Sequence, residues 1–421
     1  MISSNNYHDL LLKFRRDLHQ CAETAFHEWQ TFDYILKTLA NIKGEFSYLQ
    51  AEDVAPFIAE IGTENLYQSK ICKEAPIPGL RVTFKLGTGP HLALRCDLDA
   101  LPIEESSDLS HKPCNLGFRS KCNMHACAHD GHMALSLALI LWVNEHLELL
   151  EKTQLGALSF IFQGGEEGCH GARVMLNSHL LDGIDEIYGY HLGMGLPTGV
   201  IATHVDDFLA SLKFRLELYG RKAHAGKFYE GRNALAPLCQ IITKALALID
   251  KEQRHLVNFS DVFVPGSSNI IPDRASCVGE IRAKTFDELK VLDQKIDDII
   301  KNSGIKIVKS KPTSDLDEVE LIKTVSGLGL PIYSSQNSLE RLDKVLEACK
   351  MQAYAGFFAF RASEDCSLLI DKVQKRGGSG AYFVIGSDIK APHHHSAFDF
   401  DESALDLGFK FLQTLLLSYG Q

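Results

Sequence analysis

Residues 91–102 read HLALRCDLDALP. The apolar run 91–96 has the form of a buried strand, and it stops in alternating carboxylates, Asp97 and Asp99. The same form recurs along the chain. Residues 157–162 run into Gln163-Gly164-Gly165-Glu166-Glu167-Gly168, residues 186–190 end at His191, and residues 381–385 lead to Pro392-His393-His394-His395. Helical sequence separates each of these strands from the next. Four strands that each deliver Asp, Glu or His just past the carboxyl end fit an open α/β sheet. In such sheets ligands bind in the crevice outside those ends.

Between the first two of these strands lies MHACAHDGH, residues 124–132, with one Cys, one Asp and three His in nine residues. On a helix, Cys127 and His129 would point about 200° apart. A non-helical loop is therefore expected, with Gly131 supplying an unusual backbone angle before a helix from Met133 onward. A thiolate beside an imidazole suits a borderline-soft cation such as zinc. The expected metal ligands are Cys127, His129, Glu167, His191 and His394. Five exceed what one tetrahedral catalytic ion takes while keeping a position open, so two divalent ions, Zn or Mn, are expected. Adjacent Glu166 and Glu167 point in different directions, which allows Glu166 to be the general base and Glu167 a ligand. Asp99 and Asp130 are candidates to orient ligand imidazoles. His125, His132, His393 and His395 could support the site or lie on the surface, and His224 alone suggests nothing.

Residues 7–23 place apolar groups on one helical stripe and charges on the other, and a second helix is expected over 28–39. From 206 to 310 the texture changes. Strands at 211–219, 255–264, 274–283 and 304–309 and helices at 233–250 and 286–302 follow the order β-α-β-β-α-β of a ferredoxin-like split unit. The expected division is a discontinuous catalytic domain, 1–205 and 311–421, interrupted by an inserted domain, 206–310.

The 421 residues are too many for one simple core, consistent with two domains. With 43 basic and 54 acidic residues, the net charge of −11 argues against nucleic acid as a partner. No apolar run is long enough to cross a bilayer, and residues 1–9 lack the basic region and apolar stretch expected of a signal peptide. Eleven cysteines, an odd number without regular spacing, fit reduced thiols in a cytoplasm.

Eight phrases in order resemble the M20 metallopeptidase family, in its amidohydrolase branch. They are RCDLDALPIEE (95–105), MHACAHDGH (124–132), FQGGEEGCHGA (162–172), YHLGMGLPTGV (190–200), GRKAHAG (220–226), SNIIPDRA (268–275), ASEDCSLL (362–369) and HHHSAFDFDE (393–402). SHKP at 110–113 and the FDFDE ending look like the part of the branch that hydrolyses p-aminobenzoyl-glutamate. The resemblance implies an α/β, phosphorylase/hydrolase-like catalytic domain with a mixed, largely parallel sheet, plus an inserted ferredoxin-like α+β dimerisation/lid domain. It implies a metal-dependent amidohydrolase cleaving N-acyl or N-aroyl amino acids, p-aminobenzoyl-glutamate among them. A hippurate or N-acetyl-amino-acid deacylase of the same family, or a non-catalytic metal- or substrate-binding relative, are the alternatives.

By the same resemblance the five ligands are those named above, with His394 chosen over His393 and His395 by its spacing to Phe398 in the family pattern, Glu166 is the base and Asp99 the orienting carboxylate. His224 serves a neighbouring subunit's site by stabilising the oxyanion, and Asn269 and Arg282 help to bind substrate. The implied assembly is a homodimer or a heteromer with a paralogous subunit. Three departures from the family pattern stand out: Gly164-Gly165 for the usual Pro-Ala, Ala128 for Gly within Cys-x-His, and His395 for Asn.

Overall fold

The computed structural model describes residues 4–252, 254–312 and 316–420. The chain forms two compact units: Met1–Asp207 with Ile332–Phe360 and Asp365–Gln421, and Phe208–Pro331 with Arg361–Glu364.

The first unit is built on an eight-stranded mixed sheet. Its spatial order is Glu45–Tyr48, Gly79–Lys85, Ala157–Gln163, His91–Asp97, Glu186–Leu192, Ser379–Ile385, Val200–Ala202 and Gln352–Ala353. The four strands read from the sequence are the four central ones, and they run parallel. Their register aligns Asp97 with Gln163 and Ile385 with Leu192, so their carboxyl ends lie along one edge of the sheet. Near-continuous burial of each strand explains why they read as apolar runs, since a central parallel strand is covered on both faces. Tyr188, Tyr190 and Phe383 join a core with helices Ser4–Gln20, His129–Glu145, Gln336–Cys349 and Ser403–Leu417. Gly189 turns the other way, where a Cβ would meet Cys366 Sγ at 2.8 Å and the Tyr382 ring at 2.6 Å. Helix Cys366–Lys375 packs close enough there to require the missing side chain.

The second unit has a five-stranded sheet in the order Leu256–Phe263, Arg274–Ala283, Ala210–Tyr219, Glu320–Gly329 and Lys306–Ile307. Helices Leu235–Leu246 and Phe286–Lys301 bury Leu238, Ile241, Leu289, Leu292 and Ile296 against Phe214, Leu216 and Ile281. The Phe286–Lys301 helix starts at a capping box in which Thr285 and Glu288 bond each other's backbone N–H.

The strand expected over 304–309 shrinks to Lys306–Ile307 at the sheet edge. The long fourth strand is Glu320–Gly329, antiparallel to Ala210–Tyr219. This unit therefore reaches Pro331 rather than ending at 310. The strand eludes sequence reading because a register shift between Val325 and Gly327 breaks its two-residue period.

Candidate active site

The site lies at the carboxyl edge of the four parallel strands. Asp99 sits two residues past His91–Asp97 and is fully buried. Its two carboxylate oxygens accept the backbone N–H groups of Glu166 at 2.9 Å and Glu167 at 3.0 Å. Its backbone carbonyl accepts His129 Nδ1–H at 2.8 Å. Asp99 thus orients one imidazole through its main chain, while its side chain fixes the turn carrying the glutamate pair. The sequence suggests only the first kind of role.

Cys127 and His129 meet in a way the loop reading does not anticipate. Helix His129–Glu145 begins at His129 itself, and Ala128 is its N-cap in the left-handed conformation (φ 64°, ψ 16°). The unusual backbone angle falls at Ala128, and Gly131 is an ordinary helical residue. Gly131 is small for another reason: a Cβ there would lie 2.6 Å from Leu192 Cδ1 and 2.8 Å from the Phe400 ring. A left-handed residue between them turns Cys127 and His129 toward one locus, the task a Gly would perform more cheaply at 128.

His129 donates through Nδ1, which leaves its buried Nε2 without a hydrogen-bond partner. His191, near the end of its strand, bonds the Leu192 carbonyl through Nδ1 at 2.8 Å, and its Nε2 lies 3.4 Å from Cys127 Sγ. Burial and the neighbouring His132, His393 and His129 hold His191 well below the usual imidazole pKa, so it is neutral, with its Nε2 lone pair facing Cys127 Sγ. Burial, with Glu167 beside it, pushes the Cys127 thiol well up. Only a cation would make such a group a thiolate.

Five clusters among the described residues bring possible ligand atoms within 4.8 Å of one another, and three of them unite the expected ligands and base: Cys127, His129 and His191; Cys127, Glu167 and His394; and His129, Glu166 and Glu167. Overlapping clusters that share Cys127, His129 and Glu167, with a buried imidazole nitrogen lacking a partner, are a donor set that fits two divalent ions. His394 takes the left-handed conformation (φ 64°) and places Nε2 3.3 Å from Glu167 Oε2. Its two neighbours turn elsewhere. His393 Nε2 lies 3.4 Å from the Leu192 carbonyl, and His395 Nδ1 accepts the Ala397 N–H.

A model of peptidase family M20/M25/M40 matches residues 93–418. The chain belongs to this family. It is 29% identical to indole-3-acetyl-aspartic acid hydrolase of Enterobacter agglomerans, over 97% of this chain and 95% of that protein. It is also 29% identical to one of the subunits of the p-aminobenzoyl-glutamate hydrolase of Escherichia coli (strain K12), over 97% of this chain and 95% of that one. The solved aminobenzoyl-glutamate utilization protein from Klebsiella pneumoniae shares the fold, with a TM-score of 0.74 at 22% identity over 98% of this chain and 96% of that one.

Other sequence candidates in this M20 chain fall outside these three clusters, although His132 shares a fourth with Asp97 and His129. His132 is consumed by structure, since Nδ1 bonds Asp97 at 2.7 Å and Nε2 accepts Leu192 N–H at 3.0 Å. Asp97 in turn takes Arg95, and His129, His132 and Arg95 hold its carboxyl well below the usual range against the opposing effect of burial. Asp130 does not orient a ligand imidazole. It bonds Arg15 and His19 of the first helix, because the carboxylate at the second helical position points away from the site. His125 is buried with neither ring nitrogen hydrogen-bonded.

In the second unit, strand Ala223–His224 pairs with Ile270–Ile271, and Ala225 N–H donates to the Asn269 carbonyl at 2.9 Å, so His224 and Asn269 are neighbours. Arg282 is not with them. It lies eight residues along its strand from Arg274, roughly 27 Å away, bonded to Glu280 at 2.9 Å.

Sequence reasoning missed the polar groups beneath the site. Arg95, Gln163 and Asp365 form one buried hydrogen-bonded set, and Arg15 binds Asp130, Asp399 and Glu402. Arg15 and His19 come from what reads as the charged stripe of an amphipathic helix, yet both are fully buried.

Proposed function

We propose that this chain is a metal-dependent amidohydrolase that cleaves the amide of N-acyl or N-aroyl amino acids, with p-aminobenzoyl-glutamate and indole-3-acetyl-aspartate as the leading substrates. The observation that carries the reading is the convergence of Cys127, His129, Glu167, His191 and His394 around Glu166 at one sheet edge. The first five would hold two divalent ions, zinc or manganese, with Cys127 favouring zinc. Bound there, the metals would polarise the amide carbonyl and make water a competent nucleophile near neutral pH.

The chain's own groups do the rest. Glu166 lies in the cluster without being needed as a ligand, and its Oε2 is 3.8 Å from His129 Nε2. As general base it takes the proton from the attacking water and hands it to the departing amine nitrogen. Asp99 keeps Glu166 and Glu167 diverging by gripping both backbone N–H groups. His129 and His191 are held as tautomers that present Nε2, through the carbonyls of Asp99 and Leu192.

By family resemblance the first unit is the catalytic domain and the second a ferredoxin-like dimerisation and lid domain. There His224 serves a neighbouring subunit's site, and Asn269 and Arg282, at separate places in this unit, help to bind substrate. An exposed edge strand, Leu256–Phe263, with Val262 and Phe263 in solvent, supports pairing of two copies through this unit. Eleven free cysteines, six of them buried, support a reducing, cytoplasmic setting. Among the described residues no helix is long and apolar enough to cross a membrane.

The test is release of free amine from p-aminobenzoyl-glutamate, indole-3-acetyl-aspartate, hippurate and N-acetyl amino acids by protein loaded with zinc or with manganese. Hydrolysis of at least one supports the reading. Bound metal with no hydrolysis across the panel refutes it and favours a binding relative.

A further inference from the structure

Three consecutive backbone N–H groups follow strand Ala157–Gln163, and each is received by a buried carboxyl. Glu166 and Glu167 donate to Asp99, and Gly165 donates to Glu28 Oε1 at 2.8 Å. Glu28 arrives from far upstream, as the residue just before helix Trp29–Thr38, and is wholly inaccessible to solvent. Its Oε2 is buried without a hydrogen-bond partner among the described residues. A Cβ on Gly164 would lie 2.9 Å from Glu28 Oε1 and 3.1 Å from the Pro78 carbonyl, so the carboxyl rests directly on the turn's backbone. Gly165 has φ 69°, and its carbonyl accepts the N–H groups of His170 at 3.1 Å and Gly171 at 2.9 Å. Burial first, then the Asp99 charge, raise the Glu28 pKa well above the carboxylate range, which suits a neutral acid that accepts one amide.

We propose that Glu28 is a positioning residue for the reaction: by pinning Gly164-Gly165 it sets the direction in which the following Glu166 leaves the turn. This rests on Glu166 as the base. The flexibility of a Gly-Gly pair at that point makes an external anchor necessary. The alternative is a carboxyl that merely stabilises the fold, whose removal would lower stability and leave turnover untouched.

Two variants separate these roles. Glu28→Gln keeps a neutral side chain with an acceptor oxygen, and kcat should stay within about threefold of wild type. Glu28→Leu removes the acceptor, and kcat should fall on the order of 100-fold with KM and bound metal unchanged, as expected for a misdirected catalytic group. Amide hydrogen exchange across residues 162–169 should quicken in Glu28→Leu and not in Glu28→Gln. That readout needs no activity, so it stands even if the wild type hydrolyses none of the amides. If Glu28→Leu does not fold, Glu28→Asp, one methylene shorter, should lose at least tenfold in kcat and show the same faster exchange. A lowered melting temperature with kcat within threefold and unchanged exchange at 162–169 would overturn the proposal.

Discussion

Arg15→Met is the substitution whose cost the structure defines best. The guanidinium is buried and donates to Asp130 at 3.1 Å, Glu402 at 2.9 Å and Asp399 at 2.5 Å. It also lies over the Phe400 and Phe118 rings, 4.5 and 4.9 Å from their centres. Methionine replaces much of the apolar contact but none of the charge. Glu402 keeps Arg16 and Lys112, and Asp130 keeps His19, whereas Asp399 loses its ion-pair partner inside the protein. Removing one partner of a buried pair costs ~3–5 kcal/mol, which for a chain of this size lowers Tm by about 3–6 °C. Circular dichroism melts at pH 7, on metal-free protein, measure this. Adding Asp399→Leu to Arg15→Met should recover part of the loss, since a stranded charge rather than a lost attraction dominates the cost. A fall under ~1 kcal/mol, or a double variant worse than the sum of the singles, would refute the reasoning.

The same cluster sets a pH window for stability. Against the opposing effect of burial, Asp130 and Glu105 raise His19 from 6.5 to about 9, so its contribution is complete below pH 6.5 and is lost as pH rises through 9. That displacement is worth on the order of 3 kcal/mol. Arg16 and Arg15 lower Glu402 from 4.5 to about 2 despite burial, so its contribution is present above pH 4.5 and is lost as pH falls through 2. Urea midpoints should therefore be highest between pH 4.5 and 6.5, and His19→Gln should flatten the alkaline limb; an alkaline limb unchanged in that variant would contradict the assignment. Gly131→Ala should destabilise by ~1–3 kcal/mol through contact with Leu192 and Phe400, although Ala in a helix interior ordinarily gains ~1 kcal/mol over Gly. A higher Tm in that variant would contradict the packing account.

What is legible in the sequence is the sheet and what it delivers. A central parallel strand reads as an apolar run, and polar residues just after it have only the strand end to occupy. The glutamate pair, His191 and the His394 region are visible for that reason. Periodicity says nothing about a single left-handed residue, so the sequence points to the nearby Gly131 for a turn that Ala128 makes. A register shift within Glu320–Gly329 erases the alternation that marks a strand, and the second unit reads too short. Least legible are groups that act across long sequence separations. Arg15, His19 and Glu28 reach partners more than eighty residues away, and nothing local distinguishes them from a solvated face or a helix start. Among three adjacent histidines, family spacing points to His394, and backbone conformation separates it from His393 and His395.

The most direct test of the central claim pairs metal content with turnover in wild type and Glu166→Gln. Both proteins, dialysed against excess zinc and then freed of unbound metal, are assayed by elemental analysis and for amine release. The account predicts about two ions per chain in each, hydrolysis by the wild type, and a loss of kcat of at least 100-fold in the variant. One ion or none in the wild type, or full activity in Glu166→Gln, would contradict it.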